Sequence, residues 1–432
     1  MVSKLKKMIS KPDLFIADMI KNKTGISLPV ISKNRLPSVE NVEHSKIKLI
    51  SEKNTVNYNF SHINFYSKIP FIIHCGEGLN AGLNQLIPWI PVFLKSEANF
   101  LILVRNIPLF DELKKNYPWL YIAYAKRVID IDELIQLMPD VTHVFYPSST
   151  GNNIHLVRLN HLNHIFIGHG DSDKAASAHK ALRLYDEIWT AGQAHIDRFA
   201  KSNFNTNHMT FLKVGRPHLA KVIENSKVKP ERFNLLYLPT WEGIVEEANY
   251  SSIHLSGQIL REVSQLISSQ VVIKFHPLSG NRNQVLKNIR QQTENIILQD
   301  SIDARVLAPT IEISQEIPNN KLFICDISGV VTECLAADAP IFVFIPQDKS
   351  IVIAESEMSY QDYCYTYSNV AELLEKLAIV LDGDDYLAEN RKKAINYFIG
   401  YNETIENRFI NQLKSLACDN EPRYIPRLFE QL

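Results

Sequence analysis

Residues 164–177 read HIFIGHGDSDKAAS. An apolar, strand-like run stops at Gly168, His169 and Gly170, passes two aspartates around a serine, and reaches Lys174 at the mouth of an alanine-rich segment. A tight turn requires glycine, but it requires neither a histidine nor a lysine. The pattern predicts a strand that ends in a chemically equipped loop and passes straight into a helix.

The same alternation extends in both directions. Upstream and just downstream lie PFIIH (70–74), NFLILV (99–104), LYIAYA (120–125), VTHVFYP (141–147), EIWTAG (187–192) and TFLKVG (210–215). Between them are amphipathic stretches such as GLNQLIPWIPVFLKS and FDELKKNY. A second series follows at FNLLYLPT (233–240), QVVIKFHP (270–277), ENIILQD (294–300), KLFICDIS (321–328) and PIFVFIP (340–346). Short runs rich in Val, Ile, Phe and Tyr that alternate with helices predict parallel sheets covered on both faces. At 432 residues the chain exceeds what one hydrophobic core supports. The expected fold is therefore α/β, with two Rossmann-like domains facing a central cleft. The expected divisions are an N-terminal extension (1–67), a first domain (68–215), a second (216–385) and C-terminal helices (386–432) that cross back over the first domain.

Composition narrows the function classes. Hydrophobic residues at 45% and a net charge of -1 fit a globular protein with no general attraction to nucleic acid. Five scattered cysteines without a C-x-x-C pair argue for a reducing compartment and against structural zinc, so no metal and no cofactor is expected. No apolar run is long enough to span a membrane, and a cytoplasmic location is expected. Only the start is strongly basic: Lys4, Lys6, Lys7, Lys11, Lys21 and Lys23 surround Leu5, Met8, Ile9, Leu14, Phe15, Met19 and Ile20. Such a segment suits peripheral contact with an anionic inner membrane face, and equally a helix packed on the protein body.

Four strand ends carry polar residues that turns alone do not need. Besides GHGDSDK (168–174) they are LPTWEG (238–243), with Thr240, Trp241 and Glu242; KFHPLSG (274–280), with Lys274 and His276; and CDISGVVTE (325–333), with Asp326, Ser328, Gly329 and Glu333. Ligands of open parallel sheets bind at such carboxyl ends, and a helix N-terminus opened by Ser and Gly attracts anions. Singly, Asp326 and Ser328 read as helix caps and His169 and His276 as strand-end histidines. Their coincidence describes a diphosphate pocket.

Taken together, His169-Gly170 with Lys174, then LPTWEG, KFHP and DISGVVTECLAADAP, resemble the CDP-glycerol glycerophosphotransferases of teichoic acid and capsule polymer synthesis, enzymes of the GT-B architecture. The resemblance covers residues 166–346. It implies that His169 serves as general base on the acceptor hydroxyl or stabilises its alkoxide, that Lys174 neutralises charge, and that His276 donates to the donor diphosphate. It also implies that Ser328 and Gly329 hold a phosphate and that Glu333 accepts the ribose hydroxyls. Gly170, Thr240, Lys274 and Asp326 complete the donor set. Three positions depart from the family pattern. Glu242 stands where many members have arginine, GRPHLAK replaces Gly-x-Pro-Arg-x-Asp so that Arg216 and His218 share one role, and Ala339-Pro340 replaces Lys-Pro. These departures leave the donor open between CDP-glycerol, another nucleotide-activated polyol phosphate and a nucleotide sugar. The last would make the chain a GT-B glycosyltransferase for surface polysaccharide. A non-catalytic binding protein would be expected to have lost part of the His169, His276, Ser328, Glu333 set. The first domain is expected to hold a lipid-linked or oligosaccharide acceptor through Gly76, Glu77 and Ser148. Its G-x-G-x-x-x-G spacing departs from the dinucleotide fingerprint.

Overall fold

The computed structural model describes residues 68–172, 174–228, 234–309, 311–347, 351–400 and 405–418. All of them belong to one compact unit. The basic N-terminal segment lies outside the described residues.

Thirteen described strands form two sheets. In the first, β1 (Phe71–Cys75), β2 (Phe100–Val104), β3 (Tyr121–Tyr124), β4 (His143–Tyr146), β5 (Asn163–Phe166), β6 (Glu187–Thr190) and β7 (Thr210–Lys213) are ordered 3-2-1-4-5-6-7, and the pairings among these described strands are parallel. In the second, β8 (Leu235–Leu238), β9 (Val271–Ile273), β10 (Ala304–Val306), β11 (Leu322–Asp326), β12 (Ile341–Phe344) and β13 (Tyr365–Tyr367) are ordered 10-9-8-11-12-13, again parallel.

Strand alternation explains why both faces need covering. Phe71, Ile73 and Cys75 enter one core and Ile72 the opposite one. In the second sheet Phe323 and Cys325 enter one core while Leu322 and Ile324 enter another. A sheet buried on both sides reads as unbroken apolar runs, which is why these strands are visible in the sequence. Each sheet reverses its strand order once, between β1 and β4 and between β8 and β11. Loops part at such reversals and leave a crevice at the carboxyl ends.

The covering helices include α1 (Leu79–Leu86), α2 (Ile90–Lys95), α3 (Gln193–Ala200), α4 (Ile289–Gln299), α5 (Val330–Leu335), α6 (Ala388–Ala394) and α7 (Ile405–Cys418). On α7, Phe409, Ile410, Leu413 and Leu416 join the core of the first sheet. Phe409 lies 4.9 Å from the Trp89 ring and 5.0 Å from the Trp189 ring. Just after α6, the Tyr397 hydroxyl donates to Asp197 Oδ2 on α3 at 2.5 Å. Described residues from beyond the second sheet thus pack against the first.

Three local expectations are corrected. ENIILQ is the end of helix α4 and not a strand: Ile289, Thr293 and Ile297 face inward at the i, i+4, i+8 spacing of a helix, and the strand follows at β10. The stretch from 79 to 95 is two helices, α1 and α2, with Pro88 between them; proline lacks the N–H needed to continue the hydrogen-bond ladder. The loop after β5 does not pass into an α-helix. Lys174 is extended (φ -64, ψ 145) and forms an antiparallel bridge with Ile353, so only a 3₁₀ turn, Ala175–Ala178, follows.

Candidate functional site

The loop after β5 is fastened from several sides. Gly168 has φ +63, a left-handed conformation that a side chain would strain. Its carbonyl accepts from Trp89 Nε1 at 3.0 Å, and the Ile167 carbonyl accepts from Arg216 Nη1. Arg216 also forks onto Asp171, with Nε to Oδ2 at 2.6 Å and Nη2 to Oδ1 at 3.2 Å, and its guanidinium lies over the Trp89 ring. Both partners are buried. Burial alone would raise the Asp171 carboxyl; the Arg216 charge and the bonds from His195 and Arg216 override it and hold the group well below the usual carboxylate range. His169 therefore projects from a loop whose two preceding carbonyls and following carboxylate are all bound.

The two histidines of the site are in complementary states. His169 Nδ1 lies 3.0 Å from the Pro147 carbonyl. A carbonyl only accepts, so Nδ1 carries the proton and Nε2 keeps its lone pair. His276 Nδ1 accepts from the Leu278 N–H at 3.1 Å, so there the proton is on Nε2. Desolvation by the surrounding protein, with Arg216 next among the lowering causes, depresses the His169 pKa. Desolvation and then the charges of Lys174 and Lys274 bring His276 down to about 4. Near neutral pH both rings are uncharged, one offering an acceptor and the other a donor. The His276 ring is stacked against Trp241, 6.2 Å between centroids and 18° between planes.

These rings line a cleft of about 440 Å³. Of the expected residues it brings together His169, Gly170, Lys174, Thr240, Lys274, His276, Ser328, Gly329 and Glu333. Lys174 lies 5.3 Å from the Tyr250 ring centroid, and burial lowers its pKa against the opposing pull of Asp326. Lys274 donates to the carbonyls of Pro309 at 3.2 Å and Ala308 at 3.4 Å. Burial pushes the Glu333 carboxyl up to about 7. Gly329 lies close enough to the Asp171 carbonyl that a Cβ there would stand 3.3 Å from it, and Thr332 donates to the same oxygen at 3.1 Å. The loops of the two sheets thus meet at the cleft.

Other expected residues do not line it. Arg216 stands behind the His169 loop. His218 is half-buried beside Trp89, its pKa pushed down to about 4 by desolvation and then by Arg216. Asp326 is also buried, where Oδ2 accepts from the Thr240 N–H at 2.7 Å and the Ser252 N–H at 3.0 Å, fixing the loop that carries Trp241. Gly76, Glu77 and Ser148 lie at the β1–β4 reversal, outside the cleft lining. Gly76 is pressed against the β4 loop: a Cβ there would come within 2.2 Å of Thr150 Oγ1. The charge of Glu77 reaches His169 and favours its protonated form. Trp89 and Asp171 are the residues that sequence reasoning passed over. Asp171 stood in view two positions after His169, whereas nothing in the Trp89 segment marked its indole as a partner of Gly168. Among the described residues, no group of three or more His, Cys, Asp and Glu is placed to hold a metal.

Burial pushes the Asp326 carboxyl up to about 7, opposed by the bonds from Ser252 and Thr240 and by Lys174. An acid whose folded pKa is raised stabilises fully below its unfolded pKa, near 4, and loses that contribution as pH rises through the folded value. Asp326→Asn keeps an oxygen for both N–H groups and cannot ionise. Denaturation of the variant relative to wild type should therefore show a stability difference that grows in favour of Asn between about pH 4 and pH 7. A pH-independent difference would contradict the buried, protonated carboxyl.

No protein-family model and no curated protein sequence matches the chain. Solved structures do. A histidine-substituted variant of the wall teichoic acid polymerase TagF aligns over 87% of this chain and 96% of its own, at 12% identity and TM-score 0.54. A glycosyltransferase from Rickettsia africae ESF-5 aligns over 82% of this chain and all of its own, at 12% identity and TM-score 0.52. A UDP-N-acetylglucosamine 2-epimerase of Listeria monocytogenes, so described, aligns over 83% of this chain at 11% identity and TM-score 0.54. The fold is GT-B: two parallel-sheet α/β domains. The neighbours that share it include TagF.

Proposed function

We propose that the protein is a transferase that moves a glycerol phosphate, or a closely related polyol phosphate, from a CDP-activated donor to a hydroxyl of a saccharide or polymer acceptor. The observation that carries this reading is the pair of opposed tautomers, a lone pair on His169 Nε2 and an N–H on His276 Nε2, in one cleft with two lysines. The acceptor oxygen attacks the donor's β-phosphorus as His169 Nε2 takes its proton. The bond from that phosphorus to the oxygen bridging the two phosphates breaks, and CMP leaves with the electron pair. Displacement at phosphorus calls for positioning and charge neutralisation more than covalent catalysis. Lys174, Lys274, His276 and Ser328 supply these. Helix α5 has only six residues, so side chains carry more of the task than its dipole. Glu333 accepts the ribose hydroxyls. Arg216, His218 and Asp326 act one layer back by holding the His169 and Trp241 loops. Gly76, Glu77 and Ser148 flank the acceptor side.

Two features of the TagF structures support the assignment. One variant was soaked with CDPG. The two histidines substituted in these variants also stand almost as far apart along their chain as His169 and His276 do along this one. Glycosyl transfer is the second reading, favoured by the UDP-sugar enzyme among the structural neighbours.

Loss of a hydrogen bond to a charged group costs about 1.5–3 kcal/mol, roughly ten- to hundredfold in affinity. Calorimetry should accordingly show CDP binding weakened to that extent in both His276→Ala and Ser328→Ala. Unchanged affinity in both would remove the diphosphate from this cleft.

A further inference from the structure

A second cavity, of about 530 Å³, lies between the loops that follow β8 and β9. Its wall is braced. Both carboxylate oxygens of buried Glu242 lie 3.0 Å from the Gly280 N–H, and Arg282 donates to the Glu242 carbonyl at 3.0 Å and to Glu246 Oε2 at 2.7 Å. Gly280 has φ +79, and a Cβ on it would meet the Leu286 carbonyl at 2.3 Å. This loop geometry is therefore fixed by Glu242, Arg282 and a glycine that no other residue replaces without strain. The space is a built feature of the fold.

Its chemistry differs from that of the cleft. The charge of Arg282 is offset by Glu246, and the Glu242 carboxylate is engaged with backbone, so the lining, in which Arg282 is the one arginine and no lysine occurs, has no unbalanced Lys or Arg charge for a phosphate. Asn249, Asn283 and Gln284 contribute side-chain amides, with Ser251 and His254 as the other polar members, over a small apolar floor of Ile253 and Leu286. Side-chain amides, which both donate and accept, beside a guanidinium that donates match the paired hydroxyls of a sugar or polyol. We infer that this cavity is a binding site for a neutral polyhydroxylated ligand, the saccharide or polyol portion of an acceptor. Its description as part of an acceptor rests on the transferase reading; the binding itself does not. Glu242, in its lining, follows directly on Trp241, in the lining of the cleft.

The test is saturation-transfer NMR on the full chain with methyl α-D-glucopyranoside, N-acetylglucosamine and ribitol, and with inorganic phosphate binding measured in parallel. At least one neutral probe should bind in the millimolar range. Arg282→Gln should weaken it about tenfold or more, the loss of a charged hydrogen-bonding group. Because Arg282 also braces the loop, Gln284→Trp provides a second variant: it fills the cavity from an exposed position and leaves the bracing bonds intact, and it should abolish the signal. Ser328→Ala should leave the neutral probe bound. Absence of binding by all three probes, or binding that survives Gln284→Trp, would overturn the proposal. Phosphate binding that Gln284→Trp removes would overturn the neutral chemistry. Neutral-probe binding that behaves as expected in a protein that transfers nothing would discard the transferase reading alone.

Discussion

His169→Ala should lower the transfer rate by about 10²- to 10⁴-fold, the usual loss when a general base is removed. Donor affinity should stay close to wild type, because Nε2 is directed to the acceptor proton while Lys174, Lys274, His276 and Ser328 hold the diphosphate. The pH profile gives an independent reading. Desolvation and the nearby Arg216 depress the His169 pKa, so the base remains unprotonated below the ordinary histidine value. The acid limb of the wild-type rate should therefore fall below about pH 6.5 and vanish from the residual activity of the variant. A variant with full turnover, or an acid limb unchanged by the substitution, would exclude His169 as the base.

Asp171→Asn should be the most damaging single change to stability near the site. It strips the charge from a buried carboxylate that Arg216 binds through two nitrogens, and leaves the guanidinium without its counter-charge. Breaking a buried pair in this way costs about 3–5 kcal/mol. The folded pKa of Asp171 is depressed, so its stabilising contribution is complete above the unfolded carboxylate pKa near 4 and is lost as pH falls below it. Chemical denaturation at pH 7 should show the deficit, and it should shrink as the wild type is acidified. The same substitution should lower turnover more than donor affinity, since the Ile167 carbonyl that Arg216 holds precedes His169 by two residues. Equal stability of the two proteins at pH 7 would show that Arg216 is satisfied elsewhere.

The fold was legible because parallel strands buried on both faces leave continuous apolar runs. ENIILQD misled for the same reason in reverse: a helix end with adjacent isoleucines looks like a short buried strand, and only the inward spacing of Ile289, Thr293 and Ile297 separates the two. The short strand Tyr365–Tyr367 was missed because three residues give no periodic signal. Within the site, residues that touch the cleft were legible because they sit at strand ends where a turn does not explain them. Residues one layer behind were not, since their partners are remote in sequence. Asp171 and Arg216 are 45 residues apart, and Trp89 and Gly168 are 79 apart. Asp326 and Arg216 were visible as polar residues, but only packing shows that they face loops instead of the cleft. Glu242, read from sequence as a departure bearing on the donor, is buried and bound to Gly280.

The most direct measurement is ³¹P NMR of the product formed from CDP-glycerol and a hydroxyl acceptor, with mass detection of the released nucleotide. Phosphodiester in the product together with free CMP is the expected result. Release of CDP or UDP from a nucleotide-sugar donor with a glycosidic product, and no CMP from CDP-glycerol or a related CDP-polyol, would contradict attack at phosphorus and assign His169 to glycosyl transfer instead.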